Sequence, residues 1–128
     1  MSKLILIDDD FIYHKIAQFM IKGYSPVQDV VSSTDGRATL DYLIENKSNN
    51  ENLPDYIFVD LNMPEYNGWD FLNGYKKVSD SFTKAIQVYI VSSSISPTDI
   101  KRSKNYSFVN SFIIKPLNRE FLQALVNV

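Results

Sequence analysis

A chain of 128 residues has room for one domain built on one core. Its 45% hydrophobic and 22% charged residues are those of a soluble globular protein, and a net charge of -2 gives no general attraction to nucleic acid or to an anionic membrane. With no cysteine and one histidine, His14, the sequence excludes a disulfide scaffold, a cysteine nucleophile and thiolate or histidine-rich metal sites, so any metal must be held by oxygen.

In chain order, the first element is "LILIDDD": four apolar residues, Leu4 to Ile7, running into Asp8, Asp9 and Asp10. Two unit charges about 5 Å apart repel by roughly 3 kcal/mol at an effective dielectric near 20, so something must offset this cluster. Five short apolar, β-branched runs read as strands, at 3–7, 27–31, 56–59, 86–91 and 111–114. Between them lie stretches of helical period. Ile12, Ile16, Phe19 and Met20 give the first helix its sheet-facing side, with Gly23 closing it, and Leu40, Leu43 and Ile44 do the same for the second. The segment "NKSNNENLPD" at 46–55 has no apolar period and is a surface loop. Ser96-Pro97-Thr98-Asp99 offers an N-cap, a first-turn proline and an acid at the third position; a last helix starts near Asn118, with Phe121, Leu122 and Leu125 inward. Strands alternating with helices mean a parallel α/β sheet. No apolar run approaches the ~20 residues that span a bilayer, and the first is too short and too acidic at its end for a signal peptide, so a cytoplasmic location is expected. With the chain ending at Val128 on the final helix, 1–128 reads as one domain with no appended effector.

In such sheets the ligand site lies beyond the carboxyl ends of the strands. This sequence places Asp8 and Asp9 after the first strand, Asp60 after the third ("YIFVDLNMP"), Ser92 after the fourth ("VYIVSSS") and Lys115 after the fifth ("SFIIKP"). If the first and third strands are neighbours, three carboxylates meet in one small volume, which a hard divalent cation would neutralise. Magnesium is the expected ion, and its preference for phosphate implies a phosphoryl group. Lys115 and the Ser92 hydroxyl can both bind phosphate oxygens, and Asp60, alone on its strand, is placed to be a nucleophile in aspartyl-phosphate chemistry.

These residues carry a resemblance. The acidic pair, "DLNMPEYNGWDFL" from Asp60, Ser92, and "KP" at 115–116, at successive strand ends in this order, resemble the response-regulator receiver domain family over the whole chain. The resemblance implies a flavodoxin-like, doubly wound, five-stranded parallel sheet of order 2-1-3-4-5 with five helices. It implies Asp60 as phosphoacceptor, Asp9 as a direct Mg2+ ligand, Asp8 acting largely through water, and the backbone carbonyl of Asn62 as a further contact. It implies Lys115 as the phosphate contact with a cis bond to Pro116, Ser92 as the switch hydroxyl, and Phe112 as the switch aromatic that remodels a partner-binding face formed by the fourth helix, fifth strand and fifth helix. That position often carries tyrosine in the family; Phe112 has no hydroxyl and can act only by packing. Asn62 and Ser94 occupy the two positions that tune dephosphorylation, and both leave room for an attacking water, so a moderate phosphoryl lifetime is expected. The partners implied are a sensor histidine kinase or a histidine phosphotransfer protein upstream and a protein target downstream, with no direct nucleic acid and no membrane insertion. The chain would then be a phosphoacceptor that catalyses only its own phosphorylation and dephosphorylation.

Two rivals use the same residues. In a haloacid-dehalogenase-like phosphatase Asp8 would be the nucleophile and Asp10 the acid/base, but that family places its later acidic ligands after the serine and lysine, whereas Asp60 precedes both Ser92 and Lys115. A passive flavodoxin-shaped binding module would need a hydroxyl-rich phosphate loop where this chain has three acids. Other residues have plainer readings: Asp10 as the cap of the first helix, His14 as a surface histidine on its outer side, Trp69, Phe71 and Tyr75 as core, and Gly68 as backbone geometry after the "NMPEYN" turn.

Overall fold

β1 (Lys3–Ile7) sends Leu4 and Leu6 to one face of the sheet and Ile5 and Ile7 to the other, and all four are buried. A strand covered on both faces needs no polar alternation, which is why it reads as an unbroken apolar run. The same holds for β3 (Tyr56–Val59) and for the interior of β4 (Gln87–Ser92). The computed structural model describes residues 2–93 and 96–125.

All strands are parallel, in the order β2-β1-β3-β4-β5, with β2 (Asp29–Ser33) and β5 (Val109–Ile114) at the edges. Among the described residues five α-helices complete the doubly wound, flavodoxin-like arrangement: α1 (Phe11–Tyr24), α2 (Gly36–Glu45), α3 (Gly68–Val78), α4 (Pro97–Ser103) and α5 (Arg119–Ala124). Ala17 and Ile21 of α1 and Leu122 of α5 pack with Leu4, Leu6 and Phe58 on one face. Leu40 and Leu43 of α2 and Phe71 and Leu72 of α3 pack with Ile5, Ile7 and Val59 on the other. Each core is apolar and continuous, so the sheet is a rigid partition whose carboxyl edge can hold charged groups in fixed places.

The expected strand at 27–31 lies two residues later. The Gln28 and Asp29 N–H groups both donate to the Ser2 carbonyl, which sets the pairing of Lys3 with Asp29 and leaves Val27 buried just ahead of the strand. The last strand starts earlier than expected, because the β4–β5 ladder steps across Asn110: Val88 pairs with Val109 but Tyr89 with Ser111, a bulge that lengthens β5. The 46–55 loop is as polar as expected, though Leu53 within it is fully buried and pins it to the core. Trp69, Phe71 and Tyr75 are core residues.

α1 is turned the opposite way from expectation. Ile12 is 69% exposed, Phe19 78% and Ile16 more than half, while His14, Ala17 and Ile21 face the sheet and Met20 is only partly buried. Both stripes satisfy helical spacing, so apolar periodicity alone cannot choose between them. The phase is set at the N-terminus, where the Asp10 carboxylate caps α1 by accepting the Ile12 and Tyr13 N–H groups and His14 is drawn inward to a backbone carbonyl. Small Ala17 then lets the helix sit close to the sheet. Gly23 lies inside the last turn rather than after it, and Ser25 closes the helix.

Candidate functional site

The register of β1 and β3 pairs Ile7 with Val59, and the Asp60 N–H donates to the Ile7 carbonyl at 2.9 Å. The next residue on each strand is therefore an aspartate beside an aspartate. Asp8 is 1% exposed and Asp60 6%, while Asp9 faces outward; one carboxylate oxygen from each lies within 4.8 Å of the others. Three hard oxygen donors at that separation, two of them shielded from water, match the ligand chemistry of a small divalent cation.

One internal cation partly offsets this charge. The Lys115 Nζ lies 2.6 Å from Asp8 Oδ2 and 3.8 Å from Asp60 Oδ2. It reaches the site because the Lys115 N–H donates to the Ser92 carbonyl at 2.8 Å, which ties the end of β5 to the end of β4; its bond to Pro116 is cis, as expected. Asp8 uses its other oxygen to accept the Asp10 N–H at 2.9 Å. Ser92 is fully buried at the end of β4. The Asp60 carboxyl is raised from 3.8 to about 6: burial is the largest cause, Lys115 lowers it, Asp8 raises it, the Asn62 backbone N–H lowers it and Asp9 raises it again. One lysine cannot compensate three carboxylates.

The turn after β3 shapes the rim. The Gly68 N–H donates to the Leu61 carbonyl at 3.1 Å, and a Cβ on Gly68 would lie 2.4 Å from the Asp60 carbonyl oxygen and 2.7 Å from Leu61 Cα. Only glycine lets the start of α3 come this close to the end of β3, which is the physical content of the glycine in "NMPEYNG". Glu65, at φ 64°, takes the left-handed conformation that closes the turn, and Asn67 with Asp70 forms a capping box on α3.

Two residues of α1 join the site that sequence reasoning did not place there. His14 is 4% exposed, not a surface residue, and its Nε2 lies 2.6 Å from the Asp8 carbonyl; since a carbonyl only accepts, this nitrogen carries the proton. It thereby fixes the backbone of the acidic pair. The Tyr13 ring lies under the Lys115 ammonium, with 4.0 Å from Nζ to the ring centroid. Burial and the charges of Asp8 and Asp60 raise the Tyr13 phenol, so it remains protonated at neutral pH. Asp10 is the helix cap, accepting both N–H groups through one carboxylate oxygen, in keeping with its plainer reading.

The model of the response regulator receiver domain matches residues 4–127. The chain belongs to that family. A two-component response regulator from Cytophaga hutchinsonii is similar in structure, with a TM-score of 0.87 and 29% identity, covering 99% of this chain and 95% of that one. The Mn(2+)-bound form of response regulator Rcp1 superposes with a TM-score of 0.73 and 25% identity over 98% of this chain and 89% of that one. FilR2, a probable methanogenesis regulatory protein of Methanothrix harundinacea, is 35% identical over 92 residues, 72% of this chain and 57% of its own length. The chain spans about half the length of the curated relatives it matches.

As a receiver of two-component signalling, the chain brings Asp8, Asp9, Asp60 and Lys115 together at one edge; Ser92 is buried at the end of β4, tied through its carbonyl to the Lys115 N–H, and Asn62 is exposed just after Asp60. Phe112 is half-buried on β5 against the α3 side of the core. Ser94 lies outside the described residues. Among the described residues no helix is long and apolar enough to cross a membrane. Because the folded-state pKa of Asp60 is raised, its contribution to stability is fully present below about pH 3.8 and is lost as pH rises through about 6. In buffer without divalent cations at pH 7, Asp60→Asn is therefore expected to stabilise the fold by roughly 2–3 kcal/mol, with the gap closing toward pH 4, as read by urea unfolding at several pH values.

Proposed function

We propose that this receiver takes a phosphoryl group onto Asp60 from the phosphohistidine of a sensor histidine kinase or a histidine phosphotransfer protein, in a magnesium-dependent step, and signals through a switched partner-binding face. The observation that carries the reading is the buried Asp60 carboxylate, with two further carboxylates in the same cluster and an ammonium at 3.8 Å. In the transfer, an Asp60 oxygen forms a bond to phosphorus as the P–N bond to the donor imidazole breaks; the imidazole leaves with the electron pair. Such a loose transition state asks the protein for positioning and charge neutralisation.

Asp8, Asp9, Asp60 and the Asn62 carbonyl would hold Mg2+, which supplies charge neutralisation at the phosphoryl oxygens. Lys115 and the Ser92 hydroxyl bind the remaining oxygens, and Phe112 follows Ser92 inward, reshaping the face formed by α4, β5 and α5. Hydrolysis by water admitted past Asn62 and Ser94 resets the protein, so self-catalysed loss of the phosphoryl group is part of the reading. Localisation is cytoplasmic on this reading, where such donors have their phosphohistidine.

The donor's place is supported by α1. Its exposed stripe starts with Phe11 and Ile12 at the rim of the acidic site and continues through Ile16 to Phe19, about 12 Å of helix at 1.5 Å per residue. An apolar helix face of the histidine-bearing partner, laid on this stripe, would bring its imidazole over Asp60.

Two experiments test this. Incubation with acetyl phosphate and Mg2+ is expected to add one phosphoryl mass to the wild type, and none without Mg2+ or in Asp60→Asn; intact-mass spectrometry reads the result, and an unmodified but folded wild type would contradict it. Replacing the stripe residue, Ile12→Glu, is expected to slow transfer from a phosphohistidine protein by about tenfold or more while leaving the acetyl phosphate rate unchanged, as measured by the time course of adduct formation. Equal slowing with both donors would remove α1 as the dock.

A further inference from the structure

We infer that Tyr13 is a positioning residue for phosphoryl transfer, acting through Lys115; this rests on the reading of Asp60 as phosphoacceptor. The ammonium of Lys115 is bounded by Asp8 Oδ2 at 2.6 Å, Asp60 Oδ2 at 3.8 Å and the Tyr13 ring at 4.0 Å. One of these neighbours, Asp60, changes during the reaction. Once Asp60 carries a phosphoryl group, its oxygens draw the ammonium away from Asp8, and a lysine on a flexible four-carbon stem could equally swing out to water.

An aromatic face suits this role better than a hydrogen-bonding side chain. The ring attracts the cation through its quadrupole, with no single acceptor atom to hold the ammonium at one point. Lys115 can therefore slide from Asp8 toward the phosphoryl group while remaining over the ring. The Tyr13 hydroxyl supports this division of labour, since it is buried and has no hydrogen-bond partner among the described residues. The face of the ring, and not its hydroxyl, is the working part. Local structure explains how the ring gets there: the Asp10 carboxylate accepts the Tyr13 N–H at 3.1 Å, fixing the first turn of α1 with residue 13 against the strand ends.

The test is the rate of adduct formation from acetyl phosphate and Mg2+ by intact mass, with folding checked by circular dichroism. Tyr13→Phe keeps the ring and is expected to react within about twofold of wild type, whereas Tyr13→Met is expected to be slower by about 3- to 30-fold. Tyr13→Leu repeats the ring-less case should the methionine variant fold poorly. A structural role alone would slow the reaction whatever stands at position 115, so the deciding readout is the coupling: in a Lys115→Met background, Tyr13→Met should cause no further loss. A ring-less variant as fast as wild type, a Tyr13→Phe as slow as Tyr13→Met, or an undiminished loss in the Lys115→Met background would each overturn the assignment. A wild type that forms no adduct removes the phosphoacceptor reading itself, and is told apart because it fails before any variant is compared.

Discussion

The repulsion among Asp8, Asp9 and Asp60 is the constraint around which the carboxyl edge of this domain is arranged. Parallel pairing of β1 with β3 forces two aspartates side by side where each strand ends, and burial denies them the water that would screen them. A fold optimised only for stability would put neutral or apolar groups there. The chain keeps the charges, and among the described residues one ammonium reaches them, which leaves a net negative site suited to a bound cation. A site held at a free-energy disadvantage in the absence of its ligand is thereby poised to bind that ligand.

The surrounding structure serves to keep that arrangement from relaxing. His14 holds the Asp8 carbonyl, the Asp10 cap locks the first turn of α1, and the Lys115 backbone is tied to Ser92 across the β4–β5 edge. Gly68 brings the start of α3 to within contact of the Asp60 backbone, so the turn that follows β3 cannot swing away. Each of these groups acts on backbone, where movement is small. The Lys115 side chain, by contrast, is held only at its tip, by Asp8 and over the Tyr13 ring, and Phe112 is half-buried at the edge of the core.

The sequence made the sheet and the strand-end residues legible because both rest on local signals. Short, β-branched apolar runs bounded by acids read as buried strands, and β1 and β3 lie where such runs stand. Edge strands were less legible: β2 carries Asp29, Ser32 and Ser33, so its pattern could not separate strand from flank, and its start depends on the Ser2 carbonyl. The phase of α1 was misread because Ile12, Ile16 and Phe19 form a better apolar stripe than His14, Ala17 and Ile21. The inner stripe wins through hydrogen bonds at the first turn, which no periodicity records. For the same reason His14 looked like a surface residue. Tyr13 could not be read at all, since its partner Lys115 is brought to it only by the completed fold.

If the three carboxylates are one cation site, each of them contributes to the affinity for Mg2+. Calorimetric titration of Mg2+ into the metal-free protein at pH 7, comparing wild type with Asp9→Asn, tests it most directly. The account predicts one ion bound per wild-type chain and at least about tenfold weaker binding in the variant, which removes an exposed ligand without disturbing the buried pair. Equal affinity in the two proteins, or no saturable binding by a folded wild type, would contradict it.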